Sequence, residues 1–484
     1  MRILCGLDTE YGLLIEGRGA EDQIDDSTAL VRAYPGECFV GWDYRKESPR
    51  ADLRGFQVRH LTTDPEDAKF DKGRTYGEPH EVRADRILPN GARLYNDHGH
   101  PEYATPECWS ASRLARQESF GAAVVLAAGK ALAQSMEREV RIYKNNTDFH
   151  GASWGSHESY LVPRRVGYEE LYRALLPMMV VRQVLAGAGK VGAEQGRAAT
   201  YQLSQRADFF VEPANVETLY RRPIFNTRDE PHADPRDWIR LHVICGDSNM
   251  IESATARKVG LIKLAIRLAI EGTAPAWLVK DPVRRFQEIS RDESSKFEIE
   301  LEKRSWTNAY EVFESYFAAA EATLELDEEE RWTVDTSRKL LADLRVGGQE
   351  HKRSIDWAAK RAMLEQFMEV EGVDWSEPGL RSYDMEYANV DPEEGLHEAL
   401  VQMGAVEENS GPMGLESEPS RAMARALAAS TFRGSLVTAC WRSITLRTEA
   451  GDREIDLRPD LTYPSELANT ESVEGFIEAL EGLK

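Results

Sequence analysis

The sequence predicts an α+β protein in which strands and helices are mixed without a regular strand–helix–strand repeat. Predicted strands carry polar clusters up to about residue 250, whereas residues from about 280 to 403 are mostly helical and charged. No GxGxxG motif follows a predicted strand, and no GxxxxGK[ST] motif is present. These observations favour an α+β fold over a dinucleotide-binding fold or a P-loop fold.

The composition limits the function classes that the chain can belong to. Its 484 residues are enough for two or three domains, or for one large domain with an appendage. A net charge of −23 repels nucleic acid and anionic membranes, although it permits a local basic groove. The five cysteines show no zinc spacing, and neither a signal peptide nor an apolar run of 18 residues is visible. We therefore expect a cytoplasmic protein that binds neither nucleic acid nor membrane.

The first predicted strand, residues 2–12, has one apolar and one acidic face. Ile3, Cys5 and Leu7 point to one side, and Asp8 and Glu10 point to the other. Two carboxylates on one face repel each other unless a cation lies between them. This face is therefore either a wall of a metal or substrate site or an exposed edge.

A long polar tract follows, from Gly41 to Pro89, and it is rich in charge, glycine and proline. Long irregular segments inside a domain are usually functional or disordered. We expect partial disorder between about Leu61 and Glu81, and a mobile loop over the site formed by Gly55–Arg86.

The stretch Asn90–Cys108 carries the strongest candidate site. If it begins as a strand, Arg93, Tyr95 and Asp97 share one face, which would make a poor core but a good wall for a metal-bound anion. Three further polar side chains follow after a turn: Glu102, Thr105 and Glu107. The alternative is an edge strand with a solvated polar face.

The rest of the chain supplies further candidates. A helix over Ala111–Val140 is capped by Ser110, and the segment Arg141–Val162 holds polar groups between two strands, as an active-site loop or a solvated turn would. Further elements are predicted as a helix at Tyr168–Leu185, a strand region at Thr200–Val211, a strand at Arg240–Ile244 and a helix at Ile251–Glu271 that ends at Gly272.

The chain is predicted to divide near its C-terminal end. Residues 405–420 are rich in Gly, Pro, Ser and Glu and are the best linker. This places one large domain at 1–404 and a small domain at 421–484. The small domain should contain a short helix over Arg421–Ser430 and two strands around Trp441.

Several motifs in order resemble one known family, the Pup ligases and Pup deamidases (PafA and Dop). They are NGARLYxD, HPEYATxEC, YKNNTD, GSHExYL, QLSQRAD, NTRDEPHAD and RLHVIxGDSNM. The resemblance covers most of residues 1–275. It implies a glutamine synthetase-like curved antiparallel sheet that cradles ATP (or ADP plus phosphate) and Mg²⁺, with helices outside and a small C-terminal domain.

The resemblance also implies roles for individual residues. Asp97 takes the catalytic position; Asp8, Tyr95 and Glu102 take the Mg²⁺ positions; and Arg93, Thr105 and Trp441 take the ATP positions. The family usually has Glu where this chain has Asp8, so the metal could shift by about one methylene. From residue chemistry we add Glu10, His157, Glu158 and His242 as candidate metal ligands. Arg206, Arg228 and Arg240 are candidate anion donors, or else structural ion-pair partners.

The long tract before the central strand resembles the deamidase/depupylase branch, whereas GDSNM and HPEYAT resemble the ligase branch. We weight the tract more heavily and predict an ATP- and Mg²⁺-dependent deamidase and depupylase. The alternatives are a ligase that forms the isopeptide bond through a glutamyl phosphate, an inactive nucleotide-binding scaffold, and a ligase of small amines. Expected partners are Pup or a Pup-like disordered modifier, its lysine-conjugated proteins and the proteasomal ATPase.

Overall fold

The computed structural model describes residues 1–61, 83–194, 196–411 and 417–483. The strands within these ranges are β1 Cys5–Glu10, β2 Gly12–Ile15, β3 Arg86–Ile87, β4 Arg93–Asp97, β5 His100–Ala104, β6 Val140–Tyr143, β7 Ser156–Pro163, β8 Lys190–Val191, β9 Tyr201–Gln202, β10 Phe210–Asn215, β11 Arg222–Asn226, β12 Trp238–Val243, β13 Glu298–Glu300, β14 Trp306–Asn308, β15 Leu436–Ala439, β16 Ser443–Thr448 and β17 Gly451–Asp456. The helices are α1 Gln23–Arg32, α2 Ala111–Met136, α3 Tyr168–Val181, α4 Gln183–Ala186, α5 Glu252–Glu271, α6 Pro282–Ser290, α7 Ala309–Thr323, α8 Glu328–Arg345, α9 Glu350–Ser354, α10 Asp356–Glu371, α11 Leu380–Tyr387, α12 Leu396–Gln402, α13 Arg421–Ala429 and α14 Val473–Glu481.

An antiparallel sheet of six strands organises the molecule, in the order β12-β7-β1-β5-β4-β3. Strand β1 lies between β7 and β5, so that Asp8 faces His157 on one side and Ala104 on the other. Glu102 in β5 pairs with both Glu10 and Tyr95. The antiparallel sheet with helices packed on it confirms the predicted α+β fold class.

Helices α2 and α5 pack on each other and cover one face of this sheet. Thr9 on β1 donates a hydrogen bond to Glu118 of α2, and Tyr103 on β5 lies so close to Gly121 that an added Cβ would stand 2.2 Å from its ring. These contacts fix which face is covered. The opposite face of β1, β4 and β5 is the one that carries the acidic and basic side chains.

Among the described residues, one helix, α2, has the length and the apolar composition that could cross a membrane. Leu114, Val125 and Leu132 of this helix are nevertheless buried inside the protein. Core helices of globular proteins often have the same composition.

The C-terminal part has a hydrophobic cluster of its own, to which the N-terminal part contributes. Its buried members include Phe432, Ile444 and Phe476, together with Trp42 and Ile87 from the N-terminal part of the chain. The start of the predicted linker is also held in place, because Glu407 accepts a hydrogen bond from Ser354 at 2.6 Å. The proposed boundaries at 404 and 421 therefore stay a prediction.

Several predicted elements are confirmed with adjusted ends. Ser110 caps α2 by accepting a hydrogen bond from the Arg113 amide, and α5 ends at Gly272 with φ of +68°. The predicted first strand divides into β1 and β2. The predicted strand region at Thr200–Val211 contains only β9 and the start of β10. Helix α1 was not predicted from the sequence. The expected disorder between Leu61 and Glu81 falls almost wholly outside the described residues.

Candidate active site

The uncovered face of the sheet gathers most of the residues predicted from sequence. Alternation along the strands turns Arg93, Tyr95 and Asp97 of β4 to this side, as predicted. Their neighbours in the cross-strand register are Asp8 and Glu10 of β1 and Glu102 of β5. Residues that are far apart in sequence therefore meet on one wall.

Three of these side chains form a carboxylate cluster, defined here as Glu10, Asp97 and Glu102. One carboxylate oxygen from each lies within 4.8 Å of the others, a spacing that could hold a metal ion. Tyr95 donates a 2.5 Å hydrogen bond to Glu102, which orients that carboxylate. Because Mg²⁺ prefers oxygen ligands, the cluster fits a magnesium ion by its chemistry.

The protonation of the cluster is uneven. Burial and the nearby Asp97 raise the pKa of Glu10 to about 7, and burial raises the pKa of Glu102 well above its usual range. Burial acts in the same direction on Asp97, but His98 and Arg83 overcome it and hold the pKa of Asp97 at about 2. Asp97 is therefore ionised at neutral pH, while its two neighbours hold protons more readily.

Asp8 lies beside the cluster and lines a cavity of about 60 Å³ that Thr105, Arg240 and Trp441 also line. Burial raises the pKa of Asp8 to about 6. A second cavity of about 260 Å³ shares Pro231, His232 and Trp441 with the first. Asp8, Thr105 and Trp441, of the predicted metal and nucleotide positions, thus line the first cavity.

Arg93 is held tightly against Trp42, a residue that lines the second cavity. Its guanidinium lies 4.2 Å from the ring centre of Trp42 and 3.9 Å from that of Tyr95. Asp85 accepts a hydrogen bond from Arg93 Nε at 2.7 Å. The stacked and paired guanidinium is a rigid cation, as a contact to nucleotide phosphate or ribose requires.

Trp441 stands between the cavities and the C-terminal cluster. Its ring lies 5.0 Å from that of Trp42, edge to face, and the Arg425 guanidinium lies 4.6 Å above it. The side chain is only partly buried. One side of the indole is thus left to line both cavities.

The three further arginines lie across the site from the carboxylate cluster. Among the described residues, Arg206 and Arg228 have no carboxylate oxygen within the 4.0 Å of an ion pair, and Arg240 has only Glu230 at that limit. Burial lowers the pKa of Arg206 to about 10 and also lowers the pKa of Arg228. Neutral groups hold part of these side chains instead: Arg206 donates to the carbonyl oxygens of Ile244 and Gly246, and Arg228 donates to the hydroxyl of Thr218. Their role in binding an anion stays a prediction.

The three other candidate metal ligands, His157 and Glu158 from the polar loop and His242 from the strand Arg240–Ile244, separate in the structure. His157 and His242 lie on the site face with their rings 5.1 Å apart, and burial lowers the pKa of each well below its usual range. Glu158 lies on the opposite face, where Arg182 pairs with it at 2.7 Å and Tyr160 donates a 2.5 Å hydrogen bond. Its proposed role as a metal ligand is therefore wrong, because β7 begins at Ser156 and alternation turns Glu158 away.

Two residues that contact the site were missed from sequence. Arg83 Nη1 lies 3.4 Å from Asp97 Oδ1, and Arg421 pairs with Glu107 at 2.7 Å while lining the first cavity. Arg83 lies near the end of the long polar tract, and Arg421 directly follows the predicted linker. The sequence signal that could have indicated both is an arginine at the border of an irregular segment.

The family is shown by comparison with known proteins. A family described as Pup-ligase protein matches residues 2–445. The chain belongs to the Pup ligase family. A depupylase from Acidothermus cellulolyticus is 34% identical over 465 residues, which cover 92% of this chain and 91% of that protein. A Pup deamidase/depupylase from Mycobacterium tuberculosis is 34% identical over 472 residues, with the same coverage.

Ligases of the family match a shorter part of the chain in sequence, whereas solved ligase structures match most of it. A Pup–protein ligase from Corynebacterium aurimucosum is 39% identical over 336 residues, which cover 66% of this chain and 70% of the ligase. The solved complex between Pup and its ligase PafA is 26% identical, with a TM-score of 0.77 over 99% of this chain and 92% of that chain. PafA in complex with ADP has a TM-score of 0.72 at 26% identity, covering 89% of this chain and 96% of that one.

Proposed function

We propose that this protein is an ATP- and Mg²⁺-dependent deamidase and depupylase of Pup or a Pup-like modifier. The observation that carries the proposal is the ionised Asp97, set among Glu10, Glu102 and Arg83 on the uncovered face of a Pup-ligase-family sheet. The relatives matched over 92% of the chain are named as depupylases, whereas the ligase match covers 66%. The reaction would be hydrolysis of the C-terminal Gln amide and of the isopeptide bond to lysine.

Hydrolysis of an amide needs a nucleophile or a base next to the carbonyl carbon and stabilisation of the oxyanion. Asp97 is ionised, so its carboxylate can attack the carbonyl directly or take a proton from water. If Asp97 attacks directly, the C–N bond breaks, the amine or ammonia leaves with a proton from water, and the resulting hydroxide hydrolyses the anhydride between Asp97 and the glutamyl group. If Asp97 instead takes a proton from water, the hydroxide forms the new C–O bond, the C–N bond breaks, and the proton passes from Asp97 to the leaving nitrogen. Arg206, Arg228 and Arg240 are placed to bind the negative charge of the substrate or the cofactor.

The resemblance and the geometry together support the residues that would hold the cofactors. Asp8, Glu10, Tyr95 and Glu102 would supply oxygen ligands for Mg²⁺, and Thr105 and Trp441, which line the first cavity, would contact the nucleotide together with Arg93, which stacks on Tyr95. The bound group would fix charge and geometry at the site. The chain's own residues bind the substrate, orient Asp97 and carry the proton.

The partners and the cellular location belong to the same proposal. The modifier's lysine conjugates would be the substrates, and the proteasomal ATPase would act with the enzyme in the same pathway. A cytoplasmic location is supported by five cysteines that are all free of disulfides. The chain carries a net charge of −23, which would repel an acidic modifier. Binding would therefore depend on local cations such as Arg206, Arg228 and Arg240.

The ligase alternative has support in the likeness to the solved complex of Pup with its ligase PafA. A modifier that ends in Gln and one that ends in Glu distinguish the two functions. The purified protein would be incubated with ATP, Mg²⁺ and either a Gln-ended or a Glu-ended modifier, together with a lysine-bearing acceptor. We expect conversion of the Gln-ended form to the Glu-ended form, detected by a mass change, and little joining to the acceptor. Joining of the Glu-ended form without any deamidation would establish the ligase instead.

Replacing Trp441 by Ala should weaken ATP binding by about tenfold, the loss expected for one base–aromatic contact. Affinity would be measured by displacement of a fluorescent nucleotide from the intact protein. Trp306→Ala is the matched control, because Trp306 is 58% exposed and lines neither cavity. Equal affinity in the Trp441 variant and the wild type would show that Trp441 serves only the core.

Magnesium affinity should rise about tenfold between pH 6 and pH 8. The pKa of Glu10 is about 7, so most of this carboxylate is protonated at pH 6 and most is ionised at pH 8. A metal ion must displace that proton, so tighter binding at higher pH and proton release on binding go together. Calorimetry in two buffers with different ionisation enthalpies would measure both. Binding that is independent of pH and releases no proton would contradict the assignment of Glu10.

A further inference from the structure

Arg83 is the one described arginine or lysine side chain that forms an ion pair with Asp97. Its Nη1 atom lies 3.4 Å from Asp97 Oδ1, and its guanidinium lies 5.6 Å and 5.8 Å from the ring centres of Tyr44 and Tyr95. The side chain keeps 32% of its surface exposed. Arg83 therefore stands at the side of Asp97 that solvent and an incoming substrate can reach.

The backbone after Arg83 is held in an unusual conformation. Ala84 is buried and has φ of +54°, in the left-handed region that a residue with a Cβ adopts only when its surroundings impose it. Asp85 is anchored beyond it, because it accepts hydrogen bonds from Arg93 and from the hydroxyl of Tyr44. The contacts of Ala84 and Asp85, which follow Arg83 in the chain, thus fix the backbone position of Arg83.

Joining a modifier to lysine requires the lysine side chain to enter the region beside Asp97 that Arg83 occupies. The attacking lysine carries an ammonium group, which must approach a base and give up a proton before its nitrogen can attack the carbonyl carbon of the glutamyl phosphate made from ATP, with phosphate as the leaving group. Hydrolysis uses neutral water instead: a C–O bond forms, the C–N bond breaks, and the amine leaves with the proton. A fixed guanidinium beside Asp97 repels the ammonium but not the water.

We propose that Arg83 is a positioning residue that occupies the cation site beside Asp97 and so favours hydrolysis over the joining of the modifier to lysine. The inference rests on the proposed function and deepens it. Arg83 also keeps the Asp97 carboxylate turned toward the substrate side through the ion pair. Its replacement should change the ratio of the two reactions rather than only their sum.

The test compares two rates in the same full-length protein with ATP and Mg²⁺. One is cleavage of a modifier–protein conjugate, and the other is joining of a Glu-ended modifier to a lysine-bearing protein. Arg83→Gln and Arg83→Met remove the charge, Arg83→Lys keeps it, and Arg50→Gln is the control for loss of an exposed arginine on the preceding segment. Thermal unfolding of each variant checks its fold.

We expect the neutral variants to raise the ratio of joining to cleavage by about tenfold, and Arg83→Lys and Arg50→Gln to keep the wild-type ratio. A ratio that stays the same in a folded neutral variant, whether or not both rates fall together, would overturn the role of Arg83. Wild-type protein that cleaves no conjugate and deamidates no modifier would instead contradict the proposed function. The two failures are therefore distinguishable.

Discussion

Asp97→Asn should lower the rate of deamidation and of conjugate cleavage by about 10³-fold or more, the scale seen when a nucleophile or its base is removed. The change is nearly isosteric and removes only the charge. The wild-type carboxylate is ionised, because His98 and Arg83 hold its pKa at about 2. An amide cannot take the proton or attack the carbonyl in its place.

The fold and the nucleotide site should survive this change. Asp97 lies at the end of β4 with its side chain 20% exposed, so no core contact is lost. Asp335→Asn, on the exposed side of α8, is the matched control. Thermal unfolding and nucleotide affinity would be measured beside the rates. Wild-type turnover in a folded Asp97 variant would remove this residue from the mechanism.

Glu102→Gln should weaken Mg²⁺-dependent nucleotide binding by about 10- to 100-fold, the range for loss of a group in or next to a metal's ligand shell. The variant keeps a side chain that can accept the Tyr95 hydrogen bond, which measures 2.5 Å in the wild type. It loses the charge that a divalent cation needs, within a cluster whose three carboxylates lie within 4.8 Å.

Removing Mg²⁺ with EDTA shows whether the effect of the substitution on nucleotide binding depends on the metal. With EDTA present, the wild type and Glu102→Gln should bind nucleotide equally weakly, and excess Mg²⁺ should rescue only the wild type fully. Glu139→Gln, at an exposed position before β6, controls for a lost surface charge. Tight nucleotide binding by the wild type in EDTA would count against every metal assignment made above.

The wall of the site was predictable because it depends on short-range alternation. Arg93, Tyr95 and Asp97 lie within a strand of five residues, so one correct assignment placed all three on one face. The same rule failed for Glu158, because the predicted strand began at Ser159 whereas β7 begins at Ser156. Once β7 includes both residues, His157 and Glu158 must point to opposite faces, and the pairing of His157 with Asp8 puts His157 on the site face.

Contacts between distant segments could not be read from the sequence. Trp42 joins a cluster otherwise built largely from residues after 420, and Arg83 meets Asp97 only because β3 pairs with β4 and Asp85 anchors Arg93. Such pairings depend on tertiary packing rather than on local pattern. The resemblance to a family supplied the nucleotide-contacting roles of Thr105 and Trp441, whereas alternation along the first strand had already indicated Asp8 as part of a metal or substrate wall.

The central claim is that this protein hydrolyses the bond between modifier and lysine and does not consume ATP in proportion. The most direct measurement counts released modifier and released phosphate in the same reaction, with a purified conjugate, ATP and Mg²⁺. The account predicts many bonds cleaved for each ATP consumed. One ATP consumed for each modifier joined to lysine, with no conjugate cleaved, would contradict it and leave the same site working as a ligase.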